Sequence, residues 1–321
     1  MDASRIDLSI VIVTWNARGY TLQCLKSLQQ QDSALSTEII VVDNASSDGT
    51  ADMIREDFPY VQLVENDRNL GFAKGNNVGI RLAKGKHVSL INPDVTVRPT
   101  CLGRLVRYME QDPSIGLLGP RILGPDGAMQ RSTMRFPTVW NSFCRALALD
   151  SLFKGSKTFG GFLMRDFAHD KTMDVDILNG CFWLASREAL NRVGLLDEQL
   201  FMYGDDLDWC YRFHEAGLRV VFYPQAEAFH FGGGTTASAP TFFYIEMQRS
   251  NLQFWKKHHG RLAVFSYLLT VWLHEVVRVL GHGALYCFKR SARHDAGLKV
   301  KRSLACLWWL SRSRSRGAML R

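Results

Sequence analysis

The segment LSIVIVTWN, residues 8–16, decides how the first part of this chain folds. Its aliphatic run, residues 8–13, is of the kind that is buried on both faces of a parallel sheet. Thr14 and Asn16 follow the run directly, so polar side chains stand where the strand ends. Because parallel sheets bind ligands at the carboxyl ends of their strands, the segment predicts both a strand and a ligand site.

Outward from this segment, strand and helix signals alternate along the chain. Further strands are predicted at residues 39–42, 61–64, 88–91, 115–118 and 219–223, and helices near residues 22–28, 50–58, 73–83, 102–109 and 206–216. Ser46 and Ser47 are expected to cap the start of the second helix. Residues 120–172 have the composition of an irregular insertion. The alternation predicts an α/β fold with a doubly wound, Rossmann-like, mostly parallel sheet.

Positive charge is concentrated at the C-terminus. The 321 residues carry a net charge of +8, and residues 289–321 contain ten lysines and arginines against one acid, Asp295. The remainder is therefore close to neutral, which argues against a nucleic-acid enzyme with a basic groove, and we expect no nucleic-acid partner. The basic segment is expected to act as a separate electrostatic device.

Cysteine usage and the N-terminal residues indicate a location. The seven cysteines are scattered, form no C-x-x-C pair and no zinc spacing, and so indicate a reducing compartment with buried thiols. The first residues, MDASRIDLSIVIV, lack the pattern of a secretory signal. We therefore expect a cytoplasmic protein.

Polar residues follow four successive predicted strands, at residues 14–16, 43–44, 66–69 and 92–94. Asp, Asn and Pro also punctuate ordinary turns, which is the alternative explanation for any one of these sites. Four such sites in register favour a ligand that has hydroxyls, phosphates or a bound metal. No G-x-G-x-x-G fingerprint follows the first strand, and this disfavours a nucleotide-binding oxidoreductase.

Five segments carry a resemblance to a known family: SIVIVTWN, VVDNASSDGT, NLGFAKGNNVG, LINPDV and FMYGDDLDWCYR. In this order they resemble the family 2 glycosyltransferases with a GT-A fold, and in particular the bacterial rhamnosyltransferase-like group of polysaccharide biosynthesis. The resemblance covers roughly residues 6–260. It implies a GT-A domain over residues 1–260, followed by a helical, basic, membrane-proximal extension over residues 261–321.

The resemblance also implies the reaction. An inverting glycosyltransferase moves a sugar from a nucleoside diphosphate sugar, dTDP-rhamnose in the nearest group, to a hydroxyl of a saccharide acceptor. The acceptor is expected to be lipid-linked or part of a cell-surface polysaccharide. A divalent metal, Mg²⁺ or Mn²⁺, is implied as the cofactor that neutralises the diphosphate. A non-catalytic protein that binds nucleotide sugars or saccharides is the alternative.

Two residues match metal-ligand positions of the family. Asp94 occupies the position of the strand-end carboxylate, and His230 matches a position that often completes the metal shell. Asn92 stands where the family often has the first acid of a D-x-D pair. The alternative for His230 is an ordinary turn histidine packed between Phe229 and Phe231.

A larger set of residues is implied to bind the donor. The set consists of Thr14, Asn16, Asp43, Asn69, Gly71, Lys74, Asn76, Asn92, Asp176 and Asn179. Within it, Asp43 matches the position that contacts the base or ribose. Lys74 could equally be a solvated lysine of a first helical turn, and Asn179 an ordinary turn residue.

Three carboxylates fall within four residues at the start of a predicted helix. Asp206 matches the catalytic base of the family, which takes a proton from the acceptor hydroxyl, and Asp205 matches the acid beside it. Asp208 is expected to serve helix capping or a structural pairing.

The C-terminal segment mixes aromatic residues with its cations. Trp272, Phe288, Trp308 and Trp309 stand among Lys and Arg, which suits an interfacial helix lying on anionic lipid. No run of about 18 uncharged apolar residues is present, so a spanning helix is not expected. The prediction is a peripheral association with the inner face of a bacterial cell membrane, and the alternative is a disordered or RNA-binding tail.

Overall fold

The computed structural model describes residues 6–31, 34–153, 155–232 and 240–315 of the chain. Contacts divide the chain into two compact units. The first comprises Met1–Met134 with Ala168–Thr235, and the second comprises Arg135–Phe167 with Thr236–Arg321. Residues 240–260 thus group with the C-terminal helices, and a domain boundary at residue 260 stays a prediction.

The strands of the described residues all lie in the first unit. They are β1 (Leu8–Thr14), β2 (Thr37–Asp43), β3 (Gln62–Glu65), β4 (His87–Ile91), β5 (Val95–Val97), β6 (Ile115–Leu123), β7 (Met129–Gln130), β8 (Thr133–Met134), β9 (Met173–Asp174), β10 (Ile177–Leu178), β11 (Phe182–Ser186) and β12 (Arg219–His230).

The helices occur in both units, with α5–α7 and α10–α12 in the second. They are α1 (Arg18–Gln29), α2 (Thr50–Asp57), α3 (Phe72–Leu82), α4 (Cys101–Gln111), α5 (Val139–Ala146), α6 (Leu149–Leu152), α7 (Lys157–Gly160), α8 (Arg187–Val193), α9 (Asp205–Glu215), α10 (Pro240–His258), α11 (Arg261–Phe288) and α12 (Arg293–Ser315).

The main sheet confirms the predicted α/β architecture. Its strands lie in the order β3, β2, β1, β4, β11, β6, β12 and β5. Four of the seven pairings along this order are parallel, while β11 runs antiparallel to both of its neighbours and β5 is antiparallel to β12. The aliphatic run of β1 is buried in the middle of this sheet, as its composition predicts.

Helix α3 approaches β1 closely because two of its residues lack a side chain. Gly75 and Gly79 lie one turn apart on the helix and face Val13 and Val11 of the strand. A Cβ at Gly75 would stand 2.7 Å from Val13 Cγ1, and a Cβ at Gly79 would overlap Val11 Cγ1. This close approach sets the position of α3, which follows the polar residues 66–69 at the end of β3.

The start of α2 differs from the expectation. Gly49 is the N-cap, with a left-handed φ of 79° and no side-chain cap, and Asp48 accepts the N–H of Thr50 at 3.1 Å. The prediction of Ser46 and Ser47 as caps was wrong, because both serines bond to the strand-end residues described below.

The segment predicted to be irregular is only partly so. Strand β6 continues to Leu123, and the short helices α5, α6 and α7 occupy most of residues 139–160. Thr138 and Asn141 close the start of α5 with reciprocal hydrogen bonds. These helices have eight, four and four residues, too few for a helical period to show in the sequence.

Strand β12 is longer than predicted and changes the setting of His230. A bulge between Tyr223 and Glu227 lets the strand continue along β6, and its last residues also pair with β5. His230 is therefore the final residue of a paired strand, whereas the sequence analysis placed it after the last strand of the sheet.

In the second unit, α11 is a helix of 28 residues that packs against α5, α10 and α12. By length and composition alone it could cross a membrane, with a mean hydropathy of 1.4, and 33% of its most apolar window is buried. The expectation against a spanning helix rested on His274, Glu275, Arg278 and His282, which interrupt the apolar residues of this segment, and it stays a prediction.

Gly79→Ala is expected to destabilise the first unit by about 1–3 kcal/mol, because the added methyl group overpacks the contact with Val11. Gly19→Ala is the matched control: Gly19 also lies in a helix, α1, but a Cβ there meets nothing within 4 Å. It should leave stability unchanged or raise it by up to about 1 kcal/mol. Urea unfolding of both variants measures the difference, and equal effects would contradict the packing argument.

Candidate active site

The parallel pairing of β1 and β2 brings the first two polar strand ends together. Thr14 pairs in register with Asp43, and both side chains are buried. Asp43 accepts hydrogen bonds from the hydroxyl of Ser46 and, at 3.1 Å, from its N–H. The hydroxyls of Thr14 and Thr21 lie 2.9 Å apart. Thr14 and Asp43, both predicted to bind the sugar donor, are therefore engaged with protein partners, and their contact with a nucleotide stays a prediction.

Asn16 ties the end of β1 to the loop after β2. It has a left-handed φ of 48°, and its Oδ1 accepts the N–H of Ser47 at 2.8 Å. Its own N–H donates to Ser46 Oγ at 2.8 Å. The two serines thus brace the strand ends.

An amide network continues from β2 to the loop before α3. Asn44 Nδ2 donates to the Gly71 carbonyl at 3.1 Å, and Asn44 Oδ1 accepts from Asn66 Nδ2 at 2.8 Å. Asn69 Oδ1 accepts the N–H of Gly71 at 2.9 Å. The network holds Asn69 and Gly71, which are predicted to bind the sugar donor. It does so through Asn44 and Asn66, which the predicted set does not include.

The start of α3 is in close contact with the loop before α9. Gly71 has a φ of 82°, and a Cβ there would stand 2.7 Å from Cδ2 of Phe201 and overlap its carbonyl oxygen. That oxygen accepts the N–H of Phe72 at 2.9 Å. Lys74 is exposed in the first helical turn, and the buried Asn76 donates to the Phe72 carbonyl at 2.9 Å. Lys74 and Asn76 are both predicted to bind the sugar donor. Lys74 is exposed to solvent, whereas Asn76 bonds to the first turn of its own helix.

A second contact anchors the same loop farther along α3. Asn77 exchanges two hydrogen bonds with the backbone of Leu196, at 2.9 and 3.0 Å, and donates to Glu198 Oε1 at 3.0 Å. Arg81 pairs with Glu198 at 2.6 Å, and the hydrogen bonds from Arg81 and Asn77 lower the pKa of that carboxyl. The loop that precedes Asp205 and Asp206 is therefore fixed to α3, the helix that carries Lys74 and Asn76.

Asp94 and His230 come together at the edge of the sheet. Asp94 Oδ1 lies 3.4 Å from His230 Nε2, and each side chain is about four-fifths buried. The backbone holds the pair in place, since β12 ends beside β5 and the Phe231 N–H donates to the Asp94 carbonyl at 3.0 Å.

Gln130 orients the imidazole of His230. Its Oε1 lies 3.1 Å from His230 Nδ1, and its Nε2 donates to the His230 carbonyl at 2.8 Å. Because an amide oxygen only accepts, Nδ1 must carry the proton of that bond. In the neutral ring, Nε2 then directs a lone pair toward Asp94. Gln130 is not among the residues predicted from the sequence, and it lies 100 residues from His230 along the chain.

This pair fits a divalent metal that also binds phosphate. Metal–ligand distances are about 2.0–2.3 Å, so atoms 3.4 Å apart can contact one ion. Among the residues that the structure describes, no group of three or more His, Cys, Asp or Glu could hold a metal. A two-ligand site suits Mg²⁺ or Mn²⁺, because such ions take remaining ligands from substrate phosphates and water.

Asp208 has the structural role that was predicted for it. Its buried carboxylate accepts from Arg212 Nε at 2.9 Å, one turn along α9. Arg212 also donates to the carbonyls of Val193 and Leu195, at 2.9 and 2.8 Å. The ion pair therefore joins α9 to the end of α8.

Asp205 and Asp206 are placed differently. Asp205 is 4% exposed, its Oδ1 has no hydrogen-bond partner, and burial followed by the charge of Asp206 raises its pKa well above the usual range. Asp206 is half-buried, and burial also raises its pKa. Its Oδ1 accepts the Leu207 N–H at 2.9 Å. Asp206 is therefore the acid of the pair that can meet a substrate.

The charges of nearby carboxylates act on two buried thiols, Cys181 and Cys210. Burial, with added repulsion from Asp94 and Asp206, raises the pKa of Cys181 to about 12. Burial also raises the pKa of Cys210, with added repulsion from Asp206 and Asp176. The negative charges of Asp94, Asp176 and Asp206 thus add to the effect of burial on these two thiols.

The remaining residues predicted to bind the sugar donor differ in burial. Asn92 directly follows β4 and is half-buried, as is Asp176 before β10. Asn179 is exposed, and its Oδ1 accepts the Cys181 N–H at 3.3 Å. Asn179 therefore acts as a turn residue in this structure, and sugar binding by these three residues stays a prediction.

Comparison with protein families gives one match that covers more than half of the chain. The model described as glycosyl transferase family 2 matches residues 9–194. The matched segment contains the polar strand ends, Asp94 and Asn179, and it ends before α9.

A curated relative is similar over most of both chains. The N-acetylglucosaminyl-diphospho-decaprenol L-rhamnosyltransferase of Mycobacterium tuberculosis (strain CDC 1551 / Oshkosh) is 27% identical over 268 residues. The alignment covers 79% of this chain and 85% of the relative.

Solved structures show the GT-A fold. The mannosyltransferase PcManGT from Pyrobaculum calidifontis, in complex with GDP-Man and Mn²⁺, aligns with a TM-score of 0.58 and 18% identity over 96% of this chain and 88% of its own. GalNAc-T7 with UDP, GalNAc and Mn²⁺ aligns with a TM-score of 0.55 and 16% identity over 79% of this chain and 50% of its own.

Asp205→Asn is expected to weaken the pH dependence of stability. Because the folded-state pKa of Asp205 is raised, the folded protein keeps a proton that the unfolded chain releases above the usual range of aspartate. The stability linked to this proton is lost as pH rises toward the raised pKa, by up to about 1.4 kcal/mol per pH unit. Melting temperatures between pH 5 and pH 8 should fall more steeply for the wild type than for the variant.

Asp208→Asn is the control for this measurement. It weakens a buried ion pair with Arg212 and should lower the melting temperature at every pH in that range. Parallel pH curves for the wild type and Asp205→Asn would show that Asp205 has an ordinary folded-state pKa.

Proposed function

The chain belongs to glycosyl transferase family 2, and from this premise we propose that it transfers a sugar with inversion from a nucleoside diphosphate sugar to a saccharide hydroxyl. The observation that carries the proposal is the Asp94–His230 pair, whose Oδ1 and Nε2 atoms lie 3.4 Å apart, together with the half-buried Asp206 at the start of α9. An inverting transfer needs a centre that stabilises the leaving diphosphate and a base that faces the acceptor. The two carboxylates supply one group for each task.

The donor would lie along the ends of β1, β2 and β4. Asn16, Asn69 and Lys74 would offer polar groups toward the nucleotide, and the backbone around Gly71 allows close approach. The side chain of Asp43 is held by Ser46, so it would act on the base or ribose from a fixed orientation. Asp176 and Asn179 would face the sugar.

Asp94 and His230 would hold the divalent metal, with Gln130 keeping the imidazole in the right tautomer. When bound, the metal supplies positive charge to the diphosphate oxygens as the glycosidic bond breaks. The amide of Asn92 adds no charge to the site, so Asp94 would provide the protein's negative charge toward the metal.

Asp206 would act as the base. It accepts the proton of the acceptor hydroxyl while that oxygen bonds to the anomeric carbon, and the bond from this carbon to the diphosphate breaks with its electron pair leaving on the diphosphate. A raised pKa makes the Asp206 carboxylate a better proton acceptor than an exposed aspartate. The neighbouring Asp205, whose own pKa is raised in its buried position, would stay protonated and add no second negative charge beside the base.

The acceptor is proposed from the similarity to the mycobacterial rhamnosyltransferase, whose name specifies a diphospho-decaprenol acceptor. We propose a lipid-linked saccharide as the acceptor and dTDP-rhamnose as the first donor to test. Work on such an acceptor would take place at a membrane, here on its cytoplasmic face, and would contribute to polysaccharide biosynthesis. The basic segment from residue 289 is suited to that surface.

Asp206→Asn is expected to lower turnover by about 10²–10⁴, because the amide cannot accept a proton. Affinity for the nucleoside diphosphate should barely change, since Asp206 faces the acceptor. Initial rates with dTDP-, UDP- and GDP-sugars, together with calorimetric titration of the matching diphosphate, separate the two effects. The wild-type rate should rise with pH through the raised pKa of Asp206, and this limb should be missing in the variant.

Asp57→Asn is the matched control, because Asp57 is an exposed aspartate at the end of α2. It should transfer sugar at the wild-type rate. Wild-type turnover by Asp206→Asn would exclude Asp206 as the base.

Asp94→Ala is expected to abolish metal-dependent binding of the nucleoside diphosphate while the protein stays folded. His230→Ala should lose less affinity, because the imidazole brings no charge to the metal. Titrating Mn²⁺ and the diphosphate together and separately into each variant measures both losses. Full transfer activity in excess chelator would show that the metal assignment is wrong.

A further inference from the structure

Large exposed apolar side chains are concentrated in the second unit. Among the described residues nineteen such side chains are exposed, and fifteen of them belong to this unit. Only Trp15, Tyr60, Leu82 and Phe201 belong to the first. Contiguous exposed apolar patches are rare on soluble monomers and mark sites of interaction.

Five of these side chains form a single line along α11, which we call the α11 stripe. Its members are 48–79% exposed and are Leu262, Phe265, Leu269, Trp272 and Leu280. At about 100° per residue they fall within an arc of about 80°, and from the first to the last they span about 27 Å. None of the charged or histidine residues of α11 falls within this arc.

The opposite side of α11 faces protein. Val264, Tyr267, Val271 and Glu275 are buried there, where the helix packs against α5, α10 and α12. The Glu275 carboxylate accepts a hydrogen bond from the Tyr244 hydroxyl. A helix crossing a bilayer alone would meet lipid all around, whereas α11 offers an apolar surface on one side only.

Helix α12 adds cations to this surface. Lys301, Leu304, Trp308 and Arg312 are exposed on its outer side. The Arg312 guanidinium lies over the Trp308 ring, 4.2 Å from its centroid. Aromatic rings beside cations are typical of segments that lie at the boundary between lipid headgroups and hydrocarbon.

A cavity of about 200 Å³ joins the two helices at the surface. It is lined by Leu268 and Trp272 of α11 and by Leu307, Leu310 and Ser311 of α12. Trp272 belongs to the α11 stripe, and Ser311 is exposed beside Arg312. The stripe and the outer side of α12 therefore border the same cavity and form one surface.

We propose that this surface lies in the plane of an anionic phospholipid bilayer, with the α11 stripe in the hydrocarbon and Lys301 and Arg312 at the headgroups. Charge decides between a bilayer and a second copy of the chain. The exposed cations Lys289 and Arg290 stand between α11 and α12, and the exposed Arg293 begins α12, so two such surfaces would repel each other, whereas an anionic bilayer neutralises these charges. The proposal rests on the proposed function, which assigns membrane contact to the basic segment from residue 289. It extends that contact to an apolar face of α11.

The test uses the full-length protein and vesicle flotation. Wild type should float with phosphatidylcholine vesicles that contain phosphatidylglycerol and bind pure phosphatidylcholine more weakly. Phe265→Glu with Leu269→Glu should reduce binding to the anionic vesicles by about tenfold or more. Tyr60→Glu is the matched control, since Tyr60 is 54% exposed, against 51% and 52% for Phe265 and Leu269, and belongs to the first unit. It should float as the wild type does.

Cys287 provides an independent readout on the unaltered chain. It is the exposed one among the seven free thiols and lies on the arc of the α11 stripe, seven residues beyond Leu280. An environment-sensitive dye on Cys287 should shift to shorter wavelength with anionic vesicles and stay unchanged with buffer or soluble anionic polymer. This readout needs no sugar transfer, so it fails independently of the proposed function.

Three outcomes would overturn the proposal. Flotation of the Phe265→Glu, Leu269→Glu variant at the wild-type level would remove the stripe from the interface. An equal loss in Tyr60→Glu would show that the effect is unspecific. A wild-type dimer in sedimentation that the stripe variant dissociates, with no flotation of either protein, would assign the surface to a second copy.

Discussion

Strand β11 lies between β4 and β6 and runs antiparallel to both. Because of this direction, the residues that precede β11 lie beside the carboxyl end of β4, and the Cys181 carbonyl accepts the Asn92 N–H at 2.9 Å. The turn that carries Asp94 is therefore fixed next to the segment of Asp176 and Asn179, which we propose to face the donor sugar. A parallel strand in the same position would place its first residues at the opposite edge of the sheet.

The first turn of α9 brings together three acids that repel one another. Asp208 is neutralised by Arg212, but Asp205 is buried with an oxygen that has no hydrogen-bond partner, and both it and Asp206 have raised pKa values. Functional sites commonly keep such destabilised groups because the reaction uses them. In a glycosyltransferase of this family, a raised pKa suits a base that must take a proton from an alcohol.

The start of α3 and the loop before α9 are also held together by direct contacts. Phe201 contacts Gly71 and accepts the Phe72 N–H, while Asn77 holds the backbone of Leu196. The loop that leads into Asp205 and Asp206 therefore rests on α3.

Apart from the three-residue strand β5, the strands and helices of the first 110 residues follow from the sequence, since aliphatic runs and local spacing are properties of short segments. It also located the polar strand ends and the basic C-terminus. Only the tertiary structure decided that Ser46 and Ser47 brace strand ends, that Gln130 orients His230, and that α11 turns its apolar stripe outward. These features depend on partners up to 100 residues away or on which side of a helix is covered, and neither is written in a local pattern.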